Sequence, residues 1–341
     1  MAVRSSFVLV GLAIVAAGVA IGAIAAMSAS SEAAPRNGQV AWKSFTHEGS
    51  KTWSIYAANP DGSNVHRLTH PSAGVEDDLP DWSPDGSHVL FMRIFQPEGN
   101  PPTIPDQIMR VNANGSGLRQ IGTCTHPCIG NDDPQYSPDG RRIVFTKPTL
   151  LKGNAGVLLG VWIMDATGGH PHQITQLELP TGSEDHEPAW SPDGRHIVFM
   201  RLNDTASPAN KQALFVVASN GGTPHRITPW ALDAGGANWS PRGSSILFQS
   251  YRDCTCSGTS QVYEVAPDGS HLKQLTSSDR NIEPNWSPDG TKIIYAHQPG
   301  IGAGGLADLW AMDANGTHAA PILQTTIWDS EPDWGTASPS S

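Results

Sequence analysis

The sequence predicts an all-β chain folded as a six-bladed β-propeller, closed by pairing of the N- and C-terminal strands in one blade. Three observations carry this. A turn motif is written six times, with its aromatic residue at positions 82, 136, 190, 239, 286 and 334. Each full copy is followed by an apolar, β-branched and aromatic segment of strand type. The two ends of the repeat region are out of phase, so that each supplies what the other lacks. Composition agrees. Gly (35) and Pro (28) are abundant and charged residues make only 16%, against roughly 25% in an average domain. Such a chain favours short strands joined by turns over long charged helices. With 11 Trp, 8 Phe and 5 Tyr it can supply a core, which sets it apart from disordered chains.

In chain order, Arg4 precedes an uncharged run from Phe7 to Met27. The run has the length of a membrane-crossing helix and is followed by small residues suited to cleavage. Residues 1–34 are therefore expected to be a signal peptide or an N-terminal membrane anchor with a linker, and residues 35–335 the propeller. Residues 336–341 are expected to be a disordered tail. The repeat region opens mid-unit, with Gln39-Val40-Ala41-Trp42 as a second strand and Ser54-Ile55-Tyr56 as a third. The missing first strand is expected at the other end, as Glu331-Pro332-Asp333-Trp334. Two ends sharing one blade leave the ring no free sheet edge.

Between them, Leu79-Pro80-Asp81-Trp82-Ser83-Pro84-Asp85-Gly86 recurs at Asp133–Gly140, Glu187–Gly194, Gly236–Gly243 and Glu283–Gly290. Ser-Pro-Asp-Gly is a tight turn: Pro presets φ, Asp bonds local N–H groups and Gly takes positive φ. The segments that follow, such as Val89-Leu90-Phe91 and Ile197-Val198-Phe199, read as second strands. A third strand carries a large apolar residue six positions before a Gly turn: Tyr56, Met109, Trp162, Phe215, Tyr263 and Trp310. A short fourth strand ends in Leu-Thr or Ile-Thr in four units. Each unit is thus a four-stranded antiparallel meander, which must stack on its neighbours to bury both faces.

The motif Glu-Pro-x-Trp-Ser-Pro-Asp-Gly-x-x-Ile-x-Phe, the third strand of the Leu-Trp-Ala-Met-Asp kind and the closing Leu-Thr resemble the TolB-type, WD-like β-propeller repeat family. The resemblance covers about residues 38–335 and departs at Tyr136, Ala237 and Arg242. True TolB proteins carry an additional N-terminal α/β domain, for which the stretch from Met27 to Gln39 has no room. The resemblance therefore implies a propeller without the envelope role of the Tol–Pal system.

In an antiparallel meander the first-to-second and third-to-fourth turns lie at one end. The second-to-third loops and the blade-to-blade connections lie at the other. All the long insertions (93–107, 147–159, 201–212, 251–260 and 297–307) fall at the second end, which makes it the expected binding end. The four cysteines fall there too. Cys124, Cys128, Cys254 and Cys256 are disulfide candidates for an exported chain. Local Cys124–Cys128 pairing, pairing between the two loops and a metal site are all compatible with the spacing. Asp78, Asp132, Asp133, Glu187, Glu283 and Glu331 precede the innermost strands, and several are expected at the mouth of the central channel, with His186 beside them. Like charges so placed favour a cation or a basic partner group. Alternatively each carboxylate caps backbone N–H groups and helps join blades. The other histidines read as exposed residues of outer strands or loops.

The net charge of −11 argues against unassisted binding to nucleic acid or anionic lipid. Gly-x-Ser-x-Gly, His-Glu-x-x-His and phosphate-loop motifs are absent from the sequence. The expected function is that of an extracytoplasmic, monomeric module that binds a protein partner through its long-loop face, without a cofactor and touching membrane only through residues 7–27. The alternative is a channel-mouth enzyme or a binder of carbohydrate or lactone, with a divalent cation.

Overall fold

In the computed structural model, residues 35–45, 52–95, 104–151, 156–176, 183–203, 212–251, 260–300 and 305–338 are described. They form six four-stranded antiparallel sheets. Blade 1 contains β1 (Asn37–Phe45), β2 (Trp53–Ala58) and β3 (His66–Arg67). Blade 2 contains β4 (Val75–Trp82), β5 (His88–Phe95), β6 (Gln107–Asn112) and β7 (Arg119–Gln120). Blade 3 is built from β8 (Asp132–Tyr136), β9 (Arg142–Leu150), β10 (Val157–Asp165) and β11 (His172–Gln173). Blade 4 has β12 (Ser183–Trp190), β13 (His196–Asn203), β14 (Gln212–Ala218) and β15 (His225–Arg226). Blade 5 has β16 (Ala234–Trp239), β17 (Ile246–Ser250), β18 (Gln261–Val265) and β19 (Lys273–Gln274). In blade 6 are β20 (Arg280–Trp286), β21 (Lys292–Gln298), β22 (Asp308–Asp313) and β23 (Ala320–Leu323). The last strand, β24 (Asp329–Thr336), returns to blade 1 and pairs antiparallel with β1, Val40 opposite Trp334. Ala337 N–H then donates to the Arg36 carbonyl at 2.8 Å, so pairing runs past the last motif copy.

Each turn motif acts as the sequence chemistry dictates. Ser83 Oγ donates to Asp85 Oδ1 at 2.6 Å, Gly86 N–H donates to the Ser83 carbonyl at 2.8 Å, and Gly86 sits at φ 67°. A side chain at Gly86 would run into the Thr336 carbonyl, so this turn is also packed against the end of β24. In blade 5, where Arg242 replaces Asp, the turn keeps its Gly243 N–H to Ser240 carbonyl bond. The closing Thr has a bonding role. Thr69, Thr175, Thr228 and Thr276 each accept a third-strand backbone N–H through Oγ1, at 2.8–3.0 Å.

The core lies between blades. Six apolar clusters each join one blade face to the next. Trp42, Phe91, Phe145, Phe199, Phe248 and Tyr295, at one repeat position, are at most 2% exposed. Fully burying such a side chain contributes about 1.5–3 kcal/mol. The outer strands β3, β7, β11, β15 and β19 are only two residues long and carry His, Arg, Lys or Gln, which blunts the exposed edges. The first strands β4, β8, β12, β16, β20 and β24 adjoin one another and enclose the channel.

Antiparallel pairing puts the Ser-Pro-Asp-Gly turns at one end of the ring and every second-to-third connection at the other. Among the described residues no helix is long and apolar enough to cross a membrane. The Phe7–Met27 run lies outside the described residues, as do Cys254 and Cys256.

Candidate functional site

Every first strand bends at the same place. The ladder slips between Asp78 and Asp81, Asp132 and Gln135, His186 and Ala189, Gly235 and Asn238, and Ile282 and Asn285. In each case the residue before the motif's Pro or Ala is left-handed: Leu79 (φ 52°), Asp133 (50°), Glu187 (50°), Gly236 (61°), Glu283 (56°) and, in β24, Glu331 (54°). This is a β-bulge repeated around the ring. A left-handed non-glycine residue costs roughly 1–3 kcal/mol unless its surroundings hold it.

Here the surroundings do. Asp133 accepts the Glu187 backbone N–H of the next blade at 3.2 Å, and Glu187 accepts that of Gly236 at 2.6 Å. Gly236 has no side chain, and Gln249 Oε1 of the same blade takes its place on Glu283 N–H at 2.9 Å. Glu283 accepts Glu331 N–H at 2.6 Å, and Glu331 accepts Leu79 N–H at 3.0 Å. Five of six junctions are clasped in this way. At the sixth, between blades 2 and 3, Leu79 has no acceptor to offer Asp133.

A second tier lies two residues further along each strand, at Asp81, Gln135, Ala189, Asn238, Asn285 and Asp333. Tyr136 N–H donates to Asp81 at 2.8 Å, Trp190 N–H to Gln135 at 2.7 Å and Trp82 N–H to Asp333 at 2.6 Å. The two tiers, with the intervening prolines and Gln249 and Tyr251, line a cavity of about 350 Å³ in the channel. Trp82, Tyr136, Trp190, Trp239 and Trp334 help line a smaller one, about 210 Å³, toward the short-turn end.

The expected site residues divide accordingly. Asp133, Glu187, Glu283 and Glu331 meet at the channel cavity. Asp78 and Asp132 occupy the preceding position of the repeat and are not among the cavity-lining residues. Asp78 pairs with Lys43 of β1 at 2.8 Å, and Lys43 also bonds Glu331 at 3.0 Å. His186 likewise stays off the cavity lining, its Nε2 3.2 Å from Glu184. Cys124 and Cys128 form a disulfide at the long-loop end. The segment it closes lies along β9, with a bridge from Cys128 to Thr149. Among the described residues no group of three or more His, Cys, Asp or Glu side chains has a metal-holding arrangement.

Burial sets the charges. It pushes Glu283 up to about 7 against the pull of Lys43, and Asp333 up to about 6. Glu331 is held well above the usual carboxylate range by burial and then by Asp78. Asp81 is raised likewise by burial and then by Asp333. Burial opposes ionisation of Asp78, but its bond to Glu331 and the charge of Lys43 hold it below the usual range. Lys43, buried but flanked by Glu331 and Asp78, is held above the usual lysine value. Asp132, buried beside Asp133 and Asp106, is pushed up to about 8, and its Oδ1 has no hydrogen-bond partner.

Sequence reasoning missed Lys43, Gln249, Tyr251 and the second tier. For that tier a signal was present: the x of Pro-x-Trp is polar in five of six copies. Lys43 carries none, because it lies outside the motif.

Two families match this architecture. The one described as TolB beta propeller domain matches residues 15–207, and the Tricorn protease N-terminal beta propeller domain matches residues 159–338. The uncharacterized protein Atu1656 of Agrobacterium fabrum is 31% identical over 163 residues, 47% of this chain and 51% of that protein. The chain thus spans about half the length of that relative. TolB from Acinetobacter baumannii superposes with a TM-score of 0.66 at 18% identity, over 87% of this chain and 66% of the other. An oligogalacturonate lyase in complex with manganese gives 0.55 at 14% identity, over 81% and 72%. At these identities the likeness is one of fold.

Proposed function

We propose, from the premise that the chain belongs to the TolB β-propeller domain family, that it is an extracytoplasmic binding module whose protein partner docks on the long-loop end. The observation that carries this reading is the clasped ring. The channel carboxylates are spent on joining blades, which makes the ring a fixed platform, while the connections longest in sequence fall at one end of it. Rigid scaffold with variable loops is the usual division of labour in recognition. The Cys124–Cys128 disulfide supports both stiffened loops at that end and an oxidising compartment.

Affinity capture from envelope fractions tests the reading. Alanine substitutions in residues 93–107 or 201–212 are expected to abolish capture, and substitutions at the Ser-Pro-Asp-Gly turns to leave it intact. The reverse pattern would overturn the assignment of the binding end.

A second reading takes its motive from the manganese-bound lyase: a metal-dependent channel-mouth enzyme, or a carbohydrate or lactone binder. Among the described residues, the channel cavity is lined by carboxylates, amides, prolines and Tyr251 and by no histidine. Any cation there would have to compete with backbone N–H groups for Glu187 and Glu283. A stoichiometric metal in the purified protein, or a thermal shift with manganese or calcium reversed by EDTA, would favour this reading over the first.

A further inference from the structure

The junction between blades 2 and 3 departs from the repeat at both ends. At the channel it lacks the carboxylate clasp, because Leu79 stands where the repeat has Asp or Glu. Toward the short-turn end an apolar cluster that includes Tyr136 still joins the two blades, but one pairing beside it changes. The residue after the large third-strand side chain faces the motif aromatic of the next blade. At four junctions that pairing is apolar, Ala57 with Trp82, Ile163 with Trp190, Val216 with Trp239 and Ala311 with Trp334, and at the junction of blades 5 and 6 the position is Glu264, before Trp286. Between blades 2 and 3 both members change. Arg110 stands on β6 and Tyr136 on β8, and both line the same groove. A polar pair has replaced an apolar one, and a groove of about 400 Å³ opens there.

The groove is graded in charge. Arg110 is half-buried, and its Nε is shielded from solvent without a hydrogen-bond partner among the described residues. That Nε faces away from the groove, while Arg110 lines the groove with the rest of its side chain, and a guanidinium fork suits a planar carboxylate. His88, lining the wall, is depressed below its ordinary value by burial and by Arg110, and so is neutral near pH 7. At the exposed rim stand Asp85 and Asp139, held ionised by the Ser and backbone N–H groups of their own turns.

The geometry points to a site for a small zwitterion of the α-amino acid type. Its carboxylate lies inward on Arg110 and Tyr136, and its ammonium outward toward Asp85 and Asp139. The rim carboxylates disfavour a simple anion, and Arg110 disfavours a simple cation, so the two charges are read together.

Calorimetric titration tests this with L-alanine as probe, and with acetate and methylammonium as its two halves. Alanine is expected to bind saturably, and each half at least tenfold more weakly. The double variant R110I/Y136W supplies the apolar pair found at four other junctions and is expected to fold. It should lose alanine binding at least tenfold while capture at the long-loop end is unchanged. Asp139→Asn should narrow the gap between alanine and acetate. Absence of saturable alanine binding to the unaltered protein overturns the site. So does equal binding by R110I/Y136W, and so does acetate binding as tightly as alanine.

Discussion

The left-handed residue before each motif proline is where single side chains matter most. Glu283 holds the backbone of Glu331 across a blade boundary while buried beside other carboxylates. Glu283→Ala removes the acceptor and leaves a buried N–H unmet, an expected loss of about 1–3 kcal/mol in denaturant unfolding. Glu283→Gln keeps an acceptor oxygen and should cost less. The same pair separates charge from bonding. Unfolded, Glu283 titrates near 4.5, and folded near 7. Between those values the folded chain holds more protons than the unfolded one, so this group's contribution to stability falls as pH rises through the window. Asp333 adds the same sign up to about 6. Glu283→Gln is expected to flatten the decline of stability from about pH 4 to pH 8 by on the order of 1–3 kcal/mol, read from melts across that range.

That these carboxylates recur with the motif is legible in the sequence. That Asp78 and Asp132 sit one position off from Asp133, Glu187, Glu283 and Glu331 is also legible once the copies are aligned on the proline. What the pattern does not display is the bulge. It turns one position toward the neighbouring blade's backbone and takes the position before it off the cavity. Lys43, which neutralises Asp78 and Glu331, could not be read at all. Its partners lie in different strands, and Glu331 is 288 positions away.

At the scale of elements, the outer strand is held by a hydroxyl. Thr228 accepts Leu214 N–H at 2.8 Å, so Thr228→Val, which keeps the shape, should cost about 1 kcal/mol in equilibrium unfolding. First and second strands are locked more firmly. Arg201 donates two bonds to Asp185 across β12 and β13, at 2.6 and 2.8 Å, with the Asp185 side chain fully buried. Arg93 and Asp77 repeat this across β4 and β5. Breaking such a pair strands a buried charge, and Arg201→Met is expected to cost about 3–5 kcal/mol. A fall of under about 1 kcal/mol would mean that Asp185 finds another donor. The strands were legible as periodic apolar segments. These ion pairs were not, because among the described residues they occur in two blades and have no motif.

For the whole molecule, closure is the decisive feature. β24 supplies Asp329 to the Trp42 indole, Glu331 to Leu79 and Asp333 to Trp82. Ending the chain at Trp328 opens an edge on β1 and unclasps two junctions at once. The expected result is loss of the single cooperative transition in thermal unfolding, with early proteolysis in blade 1. A chain so shortened that still melts in one step near the original temperature would show that the ring does not depend on its seam.

The seam also fixes where the chain can be held. Asn37 at the start of β1 bonds Asp289 of a short turn, and Thr336 at the end of β24 lies against Gly86 of another. Both ends of the ring therefore leave at the short-turn side. A biosensor chip, bead or fluorophore attached at either end of the ring itself, next to Asn37 or Thr336, is held at the short-turn side, opposite the second-to-third connections. Immobilised assays with either orientation of tag should report the same kinetics for a ligand of those loops.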